Sequence, residues 1–400
     1  MEYISLRKLP YSNRDAYEQA YEERFNSPYT QHIDIKINDR PVFFVVTPEI
    51  HAFALAIHKA DKNVRSQCRR LPGVAIEQFS KHCLIDEITL TNGIEGVHST
   101  RREIGGVLAE LGKKDRRKRF AGLVQKYVML QKGEDIPLSS CEDIRKVYDD
   151  LVLREVVEDD PKNAPDGRLF RKEAVDVTDS TQKVIHRGLY PEDRIIDAMS
   201  RALKYLEDDS VELLYRICVF HYLLGYIHPF YDGNGRLNRF ISSYMLGREL
   251  HPLLGYRLSY TIKEHISKYY NAYKICNHPR NRGDLTPFVL VFLEMIEESI
   301  THLSIALSER LDALFYYSKI IEKLPYGNQA QYEKLYHVLV QAALFSETGI
   351  SMQELSDFME LSPTTLRGQL RKIDGAGLLG TELSGHAKQY RANLDEMDKY

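Results

Sequence analysis

The stretch from Val211 to Phe230 constrains this chain more than any other. It is almost continuously apolar, yet it contains Arg216, His221 and His228. Those three residues make it too polar to span a membrane, so it reads as a helix buried inside a protein. A helix that is apolar around most of its circumference has to be enclosed by other elements. The expected fold is therefore mainly α. At 400 residues the chain is longer than one small core requires, and two or three units are expected. Hydrophobic residues at 43% and charged residues at 28% exclude a disordered, collagen-like or disulfide-stapled chain. Lys plus Arg (54) against Asp plus Glu (57) leaves a net charge of −3. Any hold on a polyanion would thus need a local basic patch. Cys68, Cys83, Cys141, Cys218 and Cys276 form no CxxC pair and read as buried thiols in a reducing compartment. Met1 to Phe25 has no apolar core like that of a secretory signal, and a cytoplasmic protein without membrane association is expected.

Periodicity divides the chain further. Ile33 to Ile37 alternates like a strand, Asn38-Asp39-Arg40 turns, and Val42 to Val46 is a second apolar run, together predicting a hairpin. From Pro48 to Gln131 the spacing is helical. Ala52, Leu55, Ala56 and Val64 are expected on one buried face, and Ile104, Val107, Leu108 and Leu111 on another. The basic run Lys113 to Arg119 reads as a solvated helix end or loop. Ser140 opens a helix expected to run to Val157. Val175, Val177, Val184 and Ile185 within Gly167 to Pro191 predict a β-hairpin inserted among helices. Helical spacing returns over 191–206, 211–227, 235–250, 262–275 and 286–314. Leu324-Pro325-Tyr326-Gly327 breaks the pattern. Beyond it come a helix over 329–345, a capping box Ser351-Met352-Gln353-Glu354, a Ser362-Pro363 helix start and a closing two-stranded hairpin.

The chemistry concentrates in His228-Pro229-Phe230-Tyr231-Asp232-Gly233-Asn234-Gly235-Arg236-Leu237-Asn238-Arg239. The buried helix ends just before it, two glycines permit a tight loop, and a new helix starts near Gly235. Unpaired N–H groups and the dipole at a helix start favour an anion, and glycines let a phosphate approach. Arg236 and Arg239, three apart, could neutralise further phosphate oxygens. Asp232 offers the hard carboxylate oxygen that Mg²⁺ prefers. His228 is the nearby group able to accept a proton near neutral pH. His221, two turns earlier, reads as a packed core histidine.

This segment resembles the motif of the Fic family, HPFx[D/E]GNGRxxR, at every defined position. The wider resemblance runs from about Glu49 to Glu298 and takes in the hairpin before the motif and Asp284-Leu285-Thr286-Pro287-Phe288 after it. Such proteins are mostly helical and transfer AMP from ATP to a protein hydroxyl, releasing pyrophosphate. The resemblance implies that His228 is the base for a target tyrosine, threonine or serine, and that Asp232 holds Mg²⁺. It makes Gly233, Asn234 and Gly235 the anion hole, lets Arg236 and Arg239 grip the β- and γ-phosphates, and has Phe230 anchor the loop. The hairpin within 167–191 would be the flap on which a target segment docks. Gly235 favours nucleotidyl transfer, because the kinase-like Doc branch carries lysine there.

Upstream, Thr91-Asn92-Gly93-Ile94-Glu95-Gly96 resembles the inhibitory motif [S/T]xxxE[G/N] of the same family, matching at Thr91, Glu95 and Gly96. The resemblance implies that Glu95 pairs with Arg239 and competes with the γ-phosphate. A role for Glu95 in removing AMP is an alternative. The C-terminal pattern resembles a winged helix, with Thr364, Thr365, Arg367 and Gln369 on the helix that would face DNA. Residues 329–400 nevertheless carry seven basic side chains against ten acidic ones. A protein-docking or packing role is therefore preferred to DNA binding. A DNA-binding regulator with a nucleotide-sensing domain, or a donor other than ATP, are the rival readings, and a homodimer is a further expectation. The expected segments are 1–135 with an inhibitory helix at about 86–100, 136–322 as catalytic core with its flap at 167–191, and 323–400 as the winged-helix domain.

Overall fold

The computed structural model describes residues 3–9, 14–111, 118–178, 184–384 and 387–400. Helix α1 (Arg14–Phe25) precedes the hairpin β1 (Thr30–Ile37) and β2 (Arg40–Val45). Asn38 and Asp39 both adopt left-handed backbone, with φ of 50° and 59°, as a two-residue turn between right-twisted strands requires. Helices α2 (Pro48–Arg70), α3 (Gly73–Ile94), α4 (Arg101–Glu110) and α5 (Ala121–Gln131) follow. Then come α6 (Cys141–Tyr148), a five-residue π turn (Asp149–Leu153) and α7 (Arg154–Asp159). The inserted hairpin is β3 (Asp176–Thr178) paired antiparallel with β4 (Val184–Arg187). Helices α8 (Glu192–Leu206), α9 (Leu213–Ile227), α10 (Asn234–Glu249), α11 (Leu258–Glu264), α12 (Ile266–Cys276) and α13 (Thr286–Ile321) complete the long helical part. The last segment holds α14 (Ala330–Phe345), β5 (Ile350–Ser351), α15 (Met352–Met359), α16 (Pro363–Gly375), β6 (Leu379–Ser384), β7 (Ala387–Ala392) and α17 (Leu394–Met397).

Two compact units result. One comprises 1–61, 87–99 and 111–300, and the other 62–86, 100–110 and 301–400. These units cut across the segments expected from sequence, because the long helices α2, α3 and α13 each run from one into the other. In the first unit, α9 is buried nearly all round, from Leu214 to Ile227 with only Gly225 less enclosed. In the second, β7 lies between β5 and β6, and a core of Leu335, Leu339, Ile350, Leu355, Leu366 and Ile373 fills the space around the sheet. Ser351 and Glu354 form the expected capping box, and Ser362 caps α16 with Pro363 in its first turn. All five cysteines are reduced and buried. Among the described residues no helix is long and apolar enough to cross a membrane.

Four expectations need correction. The buried face of α2 is Ile50, Ala54, Ile57, Val64 and Cys68, whereas Ala52 and Leu55 are exposed. Small alanines fit either face, and the isoleucines decide. The helix from Ser140 runs past Val157 to Asp159, and a π turn within it widens the coil and buries Leu151 and Val152. The 262–275 helix is two, broken at His265, and α13 extends past Leu314 to Ile321. Gln369 is buried and bonded to Gln331, so it does not share the outer face of α16 with Thr364, Thr365 and Arg367. Most of the basic run 113–119 and the tip of the inserted hairpin lie outside the described residues.

Candidate active site

Helix α9 ends where His228 enters left-handed backbone, with φ of 52° and ψ of 64°, its N–H still bonded to Leu224 O. The chain then turns sharply and re-enters a helix at Asn234. Phe230 locks this loop into the core: its ring is buried and stacks on Tyr148, with ring centroids 3.5 Å apart. Asn234 closes the loop, its amide oxygen accepting from Phe230 N (2.9 Å) and its amide nitrogen donating to Phe230 O (2.8 Å). Gly233 has φ of 79°, and a β-carbon there would lie 2.9 Å from Val152 Cγ2. The π turn that sequence reasoning missed is thus the floor under this glycine. The first-turn N–H groups of Asn234, Gly235 and Arg236 have no acceptor among the described residues, which leaves an anion-binding helix start.

A pocket lies over that start. His228, Asn234, Gly235, Asn238, Arg239 and Glu95 line one side. Val177 and His186 of the inserted hairpin, Gly225, and Tyr269, Tyr270, Tyr273 and Asn277 line the rest. Burial, the nearby His186 and the Arg171 guanidinium hold His228 down to about 3, so its imidazole is neutral. Burial likewise holds His186, stacked on Tyr226, down to about 4. His221 lies in the core as expected, between Ser242 Oγ and Tyr269 Oη, each 2.7 Å away.

Arg239 is buried and held at Nε and Nη2. Its Nη2 lies 2.8 Å from Glu95 Oε1, its Nε donates to Thr91 Oγ1 (2.7 Å), and Nη2 also donates to Thr91 O (3.0 Å). Glu95 is aimed by the end of α3. Gly96 takes left-handed backbone (φ 75°), its N–H bonds Gly93 O, and Val97 N–H bonds Asn92 O. This is the glycine-terminated helix end that directs Glu95 at the arginine. An acid at a helix C-terminus is unfavourable on its own, and Arg239 offsets that cost. Gly235 faces the same carboxylate, since a β-carbon there would collide with Glu95 Oε1.

Thr91, Gly96, Asp232, Gly233 and Arg236 do not line the pocket themselves. Arg236 turns away to Glu155, 3.4 Å distant and almost as deeply buried. Asp232 sits half-buried in the loop, Oδ1 accepting from Gly233 N, while its second oxygen carries no bond to a described residue. One open carboxylate oxygen beside a phosphate site fits Mg²⁺, which uses one or two carboxylates and takes its other ligands from phosphate and water.

Sequence reasoning missed Arg171, whose side chain is buried against the His228 loop. It also missed Glu87, wholly buried, whose carboxylate accepts from Ser259 N (2.9 Å) and Ser259 Oγ (2.5 Å). Glu87, Thr91 and Glu95 recur every four residues, and that spacing was the available signal.

The profile of the Fic/DOC family matches residues 138–246, from α6 to the middle of α10. That match covers about a quarter of the chain. The protein adenylyltransferase Fic of Drosophila erecta is 32% identical over 105 residues, 26% of this chain and 19% of that protein. That of Drosophila virilis is 38% identical over 80 residues, 20% of this chain and 15% of that protein. The chain therefore matches less than a quarter of the length of either relative. The crystal structure of a Fic family protein from Desulfovibrio desulfuricans is similar in fold. It has a TM-score of 0.55 and 21% identity, covering 88% of this chain and 97% of that one. The pocket described above is assembled around the matched residues, with Glu95 and α12 supplied from outside them.

Proposed function

We propose that the protein is an adenylyltransferase that moves AMP from ATP to a hydroxyl side chain of a target protein, and that Glu95 inhibits it. The observation that carries this reading is the sharing of one pocket by a neutral His228, an open helix start and an Arg239 already held by Glu95. His228 would accept the hydroxyl proton as the target oxygen attacks the α-phosphorus. The bond from that phosphorus to the bridging oxygen breaks and pyrophosphate leaves. The N–H groups at the start of α10 would take the charge developing on the α-phosphate, and Arg239 would take the terminal phosphates. Asp232 would hold Mg²⁺, whose contribution when bound is to neutralise phosphate charge. The hairpin β3–β4 offers an edge to an extended target segment.

Inhibition follows from competition for one guanidinium. A carboxylate on Arg239 displaces the terminal phosphate, and the α-phosphorus then lies out of line for attack. Label transfer from α-labelled and γ-labelled ATP with Mg²⁺ tests both parts. Label from α-ATP alone, increased at least about tenfold by Glu95→Gly and abolished by His228→Ala, is the expected result. Label from γ-ATP would mean kinase chemistry, and no gain from Glu95→Gly would remove the inhibitory role.

The order α14, β5, α15, α16, β6, β7 supports reading residues 329–400 as a winged helix. Its acidic balance favours a protein-docking or packing role. DNA retention that is lost on Arg367→Glu would reverse that preference.

A further inference from the structure

We infer that Arg171 is a positioning residue, fixing the backbone that carries His228 and tying both arms of the β3–β4 hairpin to it. Three successive carbonyls at the end of α9 are taken by this one residue. Its Nη2 reaches Ile227 O (3.5 Å), its Nε donates to His228 O (2.9 Å), and its own backbone N–H donates to Pro229 O (3.2 Å). Its Nη1 donates to Glu173 O on the first arm of the hairpin. On the second arm, Leu189 N–H bonds Ile227 O at 3.1 Å. Gly188 packs so closely there that a β-carbon would collide with Arg171 Nη2 and come within 3.0 Å of His228 Cβ.

A buried guanidinium is costly unless its charge is answered. Arg171 has no exposed surface, and no carboxylate pairs with it among the described residues. Its side-chain partners are carbonyls: Ile227 O at the negative end of α9, shared with Leu189 N–H, His228 O just beyond that end, and Glu173 O. A cap that served only the helix could sit at the surface and keep its water. This one lies behind the proposed base, where the His228 residue must hold a left-handed backbone that a non-glycine residue adopts at a cost. The fork geometry of a guanidinium lets one side chain hold both His228 O and Glu173 O, which a lysine point charge cannot do. The hairpin that would receive the target hydroxyl and the imidazole that would deprotonate it thus share one anchor.

This inference deepens the proposed transferase reading and rests on it, so the test has one arm that needs no activity. Arg171→Met, Arg171→Lys and Gly188→Ala are made in the Glu95→Gly protein. Each is expected to lower kcat for AMP transfer by roughly tenfold to a hundredfold, while the KM for ATP stays within about twofold. Lysine should restore less than half of the loss. Hydrogen exchange should accelerate in peptides covering 184–190 and 227–231 and stay unchanged in α13. Equal losses in kcat and nucleotide KM, or exchange that rises uniformly along the chain, would reduce Arg171 to a stability residue and overturn the inference. So would unchanged exchange at the hairpin root. If the Glu95→Gly protein transfers nothing from ATP, the transferase reading fails, and the exchange comparison alone decides whether Arg171 holds the loop.

Discussion

Three acceptors spaced four apart on α3 meet the rest of the first unit in different ways. Glu95 and Thr91 take Arg239, while Glu87 takes the N–H and hydroxyl of Ser259. Glu87 is buried, and beyond Ser259 only the longer contacts from Tyr127 Oη (3.4 Å) and Ser243 Oγ (3.5 Å) reach its carboxylate. Removing its carboxylate leaves the buried Ser259 N–H unpaired and opens a cavity. Glu87→Ala is therefore expected to cost about 3 kcal/mol in denaturant unfolding. A change under about 1 kcal/mol would mean that Ser259 finds another acceptor. At His228 the prediction concerns rate. With the imidazole held down to about 3, the transfer rate of the Glu95→Gly protein should be flat between about pH 5 and pH 8. An inflection near the ordinary histidine value would show that the base is solvated. The motif residues were legible because base, acid, glycines and arginines lie within one short segment. Arg171 was not, since nothing in its neighbours announces that its side chain ends on carbonyls more than fifty residues away.

At the scale of elements, sequence rules worked where local chemistry decides the backbone. The Asn38-Asp39 turn, the Ser140 helix start, the Ser351 capping box and the Ser362-Pro363 start all lie where they were expected. They failed where packing decides. The π turn at 149–153 has no residue signature, and it exists to place Val152 and Tyr148 beneath Gly233. That contact carries its own test. Gly233→Ala adds a β-carbon in a backbone region L-residues disfavour, 2.9 Å from Val152 Cγ2. A loss of about 2–4 kcal/mol is expected, and Val152→Ala in the same chain should recover part of it. If Val152→Ala recovers nothing, the penalty lies in the backbone or in the contacts with Tyr148 and Val156.

For the molecule as a whole, buried histidines set the acid limit. His228 and His186 are held down to about 3 and about 4, and burial holds His221 well below its ordinary 6.5. Each binds its proton more readily in the unfolded chain, so stability is lost as pH falls from about 6.5 towards those values. Glu87 acts in the opposite direction. Burial raises it from 4.5 to about 6, so its contribution is full below about 4.5 and lost as pH rises through 6. Thermal unfolding across this range should give a falling Tm on acidification, and Glu87→Gln should steepen the fall between about 6 and 4.5. A Tm independent of pH there would contradict the burial of these groups. The space beside Gly235 has a consequence for descent. Glu95 fills the volume that a side chain at position 235 would need, although the two positions lie far apart in the chain. A side chain at 235 has to push that carboxylate aside, and the carboxylate is the movable end of a partly exposed glutamate. Among relatives of this protein, a residue larger than glycine at 235 should therefore accompany a loosened grip of the glutamate on Arg239, so that the two positions change together.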